Sequence, residues 1–163
     1  MKTMPILTFI AVMLSGASLQ AAENMSFRGT LLEHPPCEIN GGQPIAIDFG
    51  DVGVNKVDGE NYAQTFQIIY DCKGTSTDKI LRYVGNATAF DPAAVQSNIP
   101  DFGIQLRHTS LQGVTSPFAV GSTLPIPAYV GSSTFIATPV KKASAELQDG
   151  AFTAGATLQL EYP

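Results

Sequence analysis

Short runs in which apolar and polar residues alternate with a period of two, separated by Gly, Pro, Asn and Asp clusters, recur after the first two dozen residues of this 163-residue chain, and they restrict the fold more than any other feature. Ile45, Ile47 and Phe49 alternate with polar neighbours, and Phe66, Ile68, Tyr70 and Cys72 share one parity. That period places every second side chain on one face of a strand. The i, i+3, i+4 spacing of an amphipathic helix is nearly absent. Further strands are expected over residues 80–84, 103–108, 129–140 and 152–162, with breaks at Lys73-Gly74, Asp91-Pro92, Ser116-Pro117 and Asp149-Gly150. Pro125 and Pro127 mark an edge strand or a loop, because proline cannot donate to a central ladder. A short helix is expected over residues 92–96. Strands at this spacing suit an all-β sandwich of immunoglobulin-like type.

The first residues set the compartment. Met1-Lys2, an apolar run over residues 5–14 and a small, polar stretch ending at Ala21-Ala22 have the layout of a secretory leader, with cleavage expected near Ala22. The run is well short of the ~20 residues of a membrane-spanning helix, so no direct membrane insertion is expected. Export makes a disulfide between Cys37 and Cys72 the default for a chain with two cysteines. Such a loop is worth roughly 3–4 kcal/mol in the chain-entropy picture. A reactive thiol is the alternative, but neither Cys-x-x-Cys spacing nor a nearby histidine supports it. Cys72 falls on the core face of its run, and Ile39 shares parity with Cys37, so the disulfide is expected to join two strands. The net charge of −5 argues against nucleic acid as a partner.

Two segments at opposite ends carry the strongest alternation. Met25, Phe27, Gly29 and Leu31 lie on one side of residues 24–32, with Ser26, Arg28 and Thr30 on the other. Near the C-terminus Ala156, Leu158, Leu160 and Tyr162 alternate with Thr157, Gln159 and Glu161. Open strand edges are normally charged, bulged or covered. Here Glu161 alone guards the edge. Either the N-terminal segment folds back over the C-terminal strand of its own chain, or each segment finds its partner on another molecule. Patterning does not choose between them.

Catalytic constellations are missing from the sequence. His34 and His108 are the two histidines, and neither sits in a Gly-x-Ser-x-Gly, His-Glu-x-x-His or phosphate-loop context. His34 beside Pro35-Pro36 reads as a loop residue and His108 as the end of a strand. Asp48, Asp51, Asp58 and Glu60 lack calcium-loop spacing and read as solvated turns. No enzymatic activity, metal or cofactor is expected. Asn24-Met-Ser and Asn86-Ala-Thr match the glycosylation sequon, a frequent accidental match.

The stretch Met25-Ser-Phe-Arg-Gly-Thr-Leu-Leu-Glu-His-Pro-Pro-Cys37, followed by Ile45-Ala-Ile-Asp-Phe-Gly-Asp-Val-Gly53, resembles the start of minor pilins of P-type and type 1 fimbriae. Phe102-Gly-Ile-Gln-Leu106, Gly150 and the penultimate Tyr162 resemble further motifs of that family, so the likeness spans the mature chain. It implies a leader over residues 1–22, a donor-strand extension over 23–34 and a pilin domain over 35–163. That domain would be an incomplete immunoglobulin-like sandwich lacking its C-terminal strand, completed by donor-strand complementation. Met25, Phe27, Gly29 and Leu31 would enter a neighbour's groove; Gly29 would face a shallow pocket, or be a simple strand glycine or bulge. Gly150, Leu158, Leu160, Tyr162 and Pro163 would form the acceptor groove and the chaperone contact. Pro163 departs from the polar or basic residue expected there and removes one ladder donor. Three large apolar side chains entering the groove would contribute roughly 5–9 kcal/mol gross.

The implied partners are a periplasmic chaperone, an outer-membrane usher and neighbouring pilin subunits, and the implied location is a fimbria at the cell surface. A structural minor subunit of an adhesive fimbria, of the kind that serves as a tip adaptor, is the expected function. Its alternatives are a sugar-binding fimbrial adhesin and a self-complemented immunoglobulin-like binding module.

Overall fold

The computed structural model describes residues 26–31, 33, 36–73 and 77–163, and divides the chain into two units, Met1–Leu32 and Glu33–Pro163. The expected leader, Met25, His34 and the Lys73-Gly74 break at its glycine lie outside the described residues. Within the described part of the first unit, residues 26–31 form no strand or helix.

The second unit contains nine strands and two short 3-10 turns, with no α-helix among the described residues. The strands are β1 (Cys37–Ile39), β2 (Gln64–Cys72), β3 (Lys79–Gly85), β4 (Ala94–Gln96), β5 (Phe102–Thr109), β6 (Thr115–Pro117), β7 (Thr123–Ile126), β8 (Ser132–Lys141) and β9 (Ala156–Glu161). One sheet runs β1-β2-β8-β5, with β4 and β6 sharing the far side of β5; the other runs β7-β3-β9. Every pairing is antiparallel. The sandwich is an incomplete immunoglobulin-like one, and its second sheet ends at β9 with no strand on the outer side among the described residues.

Period-two patterning accounts for the core. Ile68 and Phe135 from the first sheet and Leu81 from the second are completely buried, with Tyr83, Leu106, Phe118 and Ile126 around them. Tyr83 and Phe118 stack at 5.4 Å, and Phe118 meets Phe135 at 6.1 Å. Each such side chain gains ~1.5–3 kcal/mol by leaving water, before the entropy of ordering is subtracted. Tyr70 brings a hydroxyl into this core and donates it to Ser133 Oγ at 2.9 Å, so the polar atom is not left bare. Burial pushes the Tyr70 phenol up to about 12, and it remains a neutral donor.

Cys37 and Cys72 form the expected disulfide and face one another in the β1–β2 register. Immediately after β1 the chain turns away. Asn40, Gly41 and Gly42 all take positive φ, a conformation cheap for glycine and tolerated by asparagine. The Asn40 side chain accepts the Ile69 backbone N–H at 2.7 Å. A ladder position on β2 is thus occupied by a side chain, and the following residues leave the sheet.

Several expected elements change form. Residues 45–49 make no strand despite their alternation, because no neighbouring strand supplies ladder bonds to them. The helix expected over 92–96 is a turn followed by β4: the Asp91 carboxylate accepts the Ala93 N–H at 2.8 Å, and Ala94 and Val95 pair with Gln105 and Ile104. Ser116-Pro117 belongs to β6 rather than to a break, on an edge where proline's missing N–H costs no ladder bond. Pro125 likewise sits in the edge strand β7. The strand expected from 129 begins at Ser132, after a turn closed by Val130 N–H to Pro127 C=O at 2.9 Å. That expected from 152 begins at Ala156, because Thr153 is held instead by Asn98, its N–H donating to Asn98 Oδ1 at 2.7 Å.

Gly103 gives a direct test of the β4–β5 packing. A Cβ placed there would stand 2.6 Å from both the Val95 carbonyl oxygen and Thr88 Cγ2. Gly103→Ala is expected to cost about 1–3 kcal/mol in urea unfolding, because backbone has to move. Gly131→Ala meets nothing within 4 Å and is expected to stay within about 0.5 kcal/mol.

Candidate functional site

The site follows from the departure of the chain after Gly42. Residues 43–49 run along one side of an open cleft, and residues 152–158 form the other side. Ile45, Ile47 and Phe49 keep their common parity and all line the cleft, so the pattern that suggested a paired strand makes a wall instead. Ala156 and Leu158 of β9 line the opposite wall. Phe66, Tyr83, Val95, Ile104, Leu106 and Ala137 form the floor, drawn from both sheets of the core. The cleft has a volume of about 610 Å³, and none of its lining side chains is charged.

β9 bonds to β3 along one edge and has no strand on the other among the described residues. Its outward backbone N–H and C=O groups therefore face the cleft. An extended segment placed there would gain main-chain bonds from β9 and apolar contacts from the floor, the two requirements for adding a strand to a sheet. At one end Phe49 and Phe152 approach at 6.1 Å, and Phe152 packs edge-on to Phe102 at 4.9 Å. Beyond this point a second hollow of about 600 Å³ continues between residues 47–52 and 150–152.

The residues singled out in the sequence fall in different places. Leu158 lines the cleft, whereas Leu160 packs against the core without lining it. Gly150 lines the end hollow, with φ +147, rather than the main cleft. Tyr162 follows β9 and is half-buried; Pro163 is exposed. Phe27 and Leu31 are exposed, and a Cβ on Gly29 would meet nothing within 4 Å. The floor residues and the wall at residues 43–49 were missed as parts of a site. Their alternation was visible, but an apolar strand face covering a core and one lining a cleft look alike in sequence.

Glu161 is not a free guard of the open edge. Its carboxylate accepts from Arg82 Nε at 2.9 Å and from a terminal guanidinium nitrogen at 3.1 Å, and so ties β9 back to β3. The Arg82 hydrogen bond holds the Glu161 carboxyl below its ordinary value. Asp58 accepts the N–H groups of Glu60 and Asn61, and Asp48 that of Gly50, as turn residues do. His108 lies in β5 with its ring 5.2 Å from Phe135, and burial pushes its pKa down, favouring the neutral ring.

The family described as fimbrial protein matches residues 25–163. The fimbrial-like protein YfcQ of Escherichia coli strain K12 is 33% identical over 164 residues, covering 95% of this chain and 98% of that protein. The fimbrial adapter PapF of Escherichia coli is 28% identical over 163 residues, covering 94% and 96%. Among solved structures, the P pilus adaptor subunit PapF superposes with a TM-score of 0.61 at 28% identity, over 80% of this chain and 98% of that one. The P pilus rod subunit PapA superposes with 0.59 at 17% identity, over 85% and 98%, a likeness of fold.

The Arg82–Glu161 pair generates a prediction. A carboxyl whose folded pKa is depressed contributes stability above its unfolded value and loses it as pH falls through the folded value. Protection of the β9 amides, taken relative to their intrinsic exchange rate at each pH, is therefore expected to fall on acidification across and below the ordinary glutamate range. Glu161→Gln should remove that part of the pH dependence; an unchanged profile in this variant would show that the pair does not secure β9.

Proposed function

The chain belongs to the fimbrial protein family, and with that as the premise we propose that it is a structural minor subunit of an adhesive fimbria that polymerises by donor-strand exchange. It is a fimbrial subunit related to the minor adaptor pilins, and such subunits reside in pili outside the cell. The observation that carries the finer reading is the cleft of about 610 Å³ beside β9, uncharged, mostly apolar and backed by an open ladder edge. A strand from a neighbour would complete the second sheet there, and a periplasmic chaperone would hold the cleft before assembly. The usher would be the site of the exchange.

In this scheme the other half of the contact is the alternating segment of residues 24–32. Met25, Phe27, Gly29 and Leu31 would enter the next subunit's cleft, and the exposure of Phe27 and Leu31 leaves them available to do so. Leu158 receives a strand; Leu160 supports it from the core, and Gly150 leaves room at the end hollow.

Two variants separate donor from acceptor. Phe27→Asp is expected to leave the subunit's capture of a chaperone or peptide unchanged while abolishing its transfer into a neighbour, as read by subunit cross-linking. Leu158→Asp should weaken capture of the chaperone or peptide itself, as read by co-purification. Without any partner, the purified chain is expected to refold poorly and to be rescued by a peptide copying the N-terminal segment of another subunit. A stable monomer after deletion of residues 23–32, with no partner present, would overturn donor-strand exchange in favour of a complete, free-standing domain.

A further inference from the structure

The most exposed apolar side chains of the second unit are gathered at one end of its first sheet. Among its described residues, the large apolar side chains more than half exposed are Ile69, Leu111, Val114 and Tyr129, at 56% to 77%. Scattered singly, such residues are ordinary; grouped, they mark an interaction surface. The topology groups them. Ile69 of β2 pairs with Ser132, where β8 begins. Tyr129 lies in the turn just before, and that turn is bound to β2 by Tyr70 N–H to Gly131 C=O at 2.9 Å. Thr109, at the end of β5, pairs with Thr134. The turn that carries Leu111 and Val114, closed by Ser110 N–H to Val114 C=O at 2.8 Å, therefore projects past the same end of β8.

The N-terminal segment joins the domain at this same end. Cys37 opens β1 opposite Cys72, in the strand that holds Ile69, and Pro36 C=O accepts the Lys73 N–H at 3.3 Å. The backbone is thus anchored from Pro36 onward. Four Cα steps separate Leu32 from Pro36, a reach of at most about 14 Å. A subunit that has taken residues 24–32 into its cleft is therefore kept within that distance of this end. Ile69 and the β5–β6 turn stand two strands apart, and with neighbouring strands about 4.8 Å apart they fit within one contact. Once the segment is seated, a second contact is intramolecular, and a short tether gives it an effective concentration in the millimolar range. A patch smaller than a free-standing interface is then enough.

We propose that Ile69, Leu111, Val114 and Tyr129 form a second contact with the fimbrial subunit that receives residues 24–32, packing on the rim of its cleft. The proposal rests on the donor-strand reading of the preceding section and adds a surface outside the shared strand. The tether selects the occupant, because the receiving subunit is the one molecule that residues 24–32 hold beside this end. Tyr129 is its anchor: a tyrosine offers a large contact area while its hydroxyl stays in water.

Photo-crosslinking of the full chain in assembled fimbriae tests it. One chain carries Arg28→p-benzoylphenylalanine, on the side of the segment opposite its apolar residues, a second carries Tyr129→p-benzoylphenylalanine, and a third carries both. Positions 28 and 129 are expected to link to the same kind of subunit, and the doubly labelled chain to give a one-to-one adduct joined at both positions. Leu111→Ser/Val114→Ser is expected to lower the yield at 129 by about threefold or more while the yield at 28 is unchanged. These side chains are exposed, so the fold tolerates the change. An adduct at 28 with none at 129, or with 129 joined to a chaperone, an usher or a second subunit molecule, overturns the proposal and leaves donor-strand exchange intact. So does a yield at 129 that the double serine variant does not alter. No adduct at 28 overturns donor-strand exchange and this proposal with it.

Discussion

A strand at the edge of a sheet leaves one row of hydrogen-bonding groups unpaired, and a sandwich is complete only when the apolar core beside that edge is covered. In this protein β9 is bonded to β3 on one side, and its other side opens onto a cleft whose floor is the core itself. Tyr83, Leu106 and Phe66 belong at once to the packed interior and to the lining of that cleft. Filling the cleft and completing the core are therefore one event. Tyr83 and Leu106 are already buried, and the lining side chains left partly exposed, Phe66, Ile104 and Leu158 among them, lose further contact with water when the cleft is filled. A fold built this way depends heavily on what lies beside β9.

The cleft is held open by local chemistry near the start of the domain. The Cys37–Cys72 disulfide pins β1 to β2, and within three residues the Asn40-Gly41-Gly42 turn ends the pairing. The Asn40 side chain takes the Ile69 N–H that a continuing strand would have used. The chain then runs past the end of the first sheet and becomes the wall facing β9. A continued β1–β2 ladder would leave residues 43–49 on the sheet edge, and that wall would not exist. At the other side Arg82 grips Glu161 across β3 and β9, so the last strand is held on its inner side while its outer side stays open.

Membership of the fimbrial family and the likeness to the adaptor PapF are consistent with an incomplete sandwich, and they make the chain a fimbrial subunit related to the minor adaptor pilins. His108 is drawn toward its neutral form beside Phe135, and the exposed carboxylates of residues 48–60 are spent largely on turn hydrogen bonds or face solvent at the cleft mouth.

The sequence by itself determined the all-β class, the disulfide, the bounds of β2, β3 and β5 to within a residue or two, and the alternating segments at both ends. Those are local properties: a period of two, two cysteines in an exported chain, and glycine or proline where the backbone must turn. Alternation at residues 45–49 and 156–162 was equally legible, but not its meaning. Whether Ile45, Ile47 and Phe49 pair with a neighbouring strand or line a cleft depends on which backbone lies alongside them. That was decided by the positive-φ turn at Asn40-Gly41-Gly42 and by the closing of two sheets over Ile68, Leu81 and Phe135. For the same reason residues 92–96 are a turn and a strand rather than a helix: Ile104 and Gln105, close in sequence but reached only through the folded loop, supply the ladder. A ladder bond has two ends, and the sequence of one strand specifies only its own.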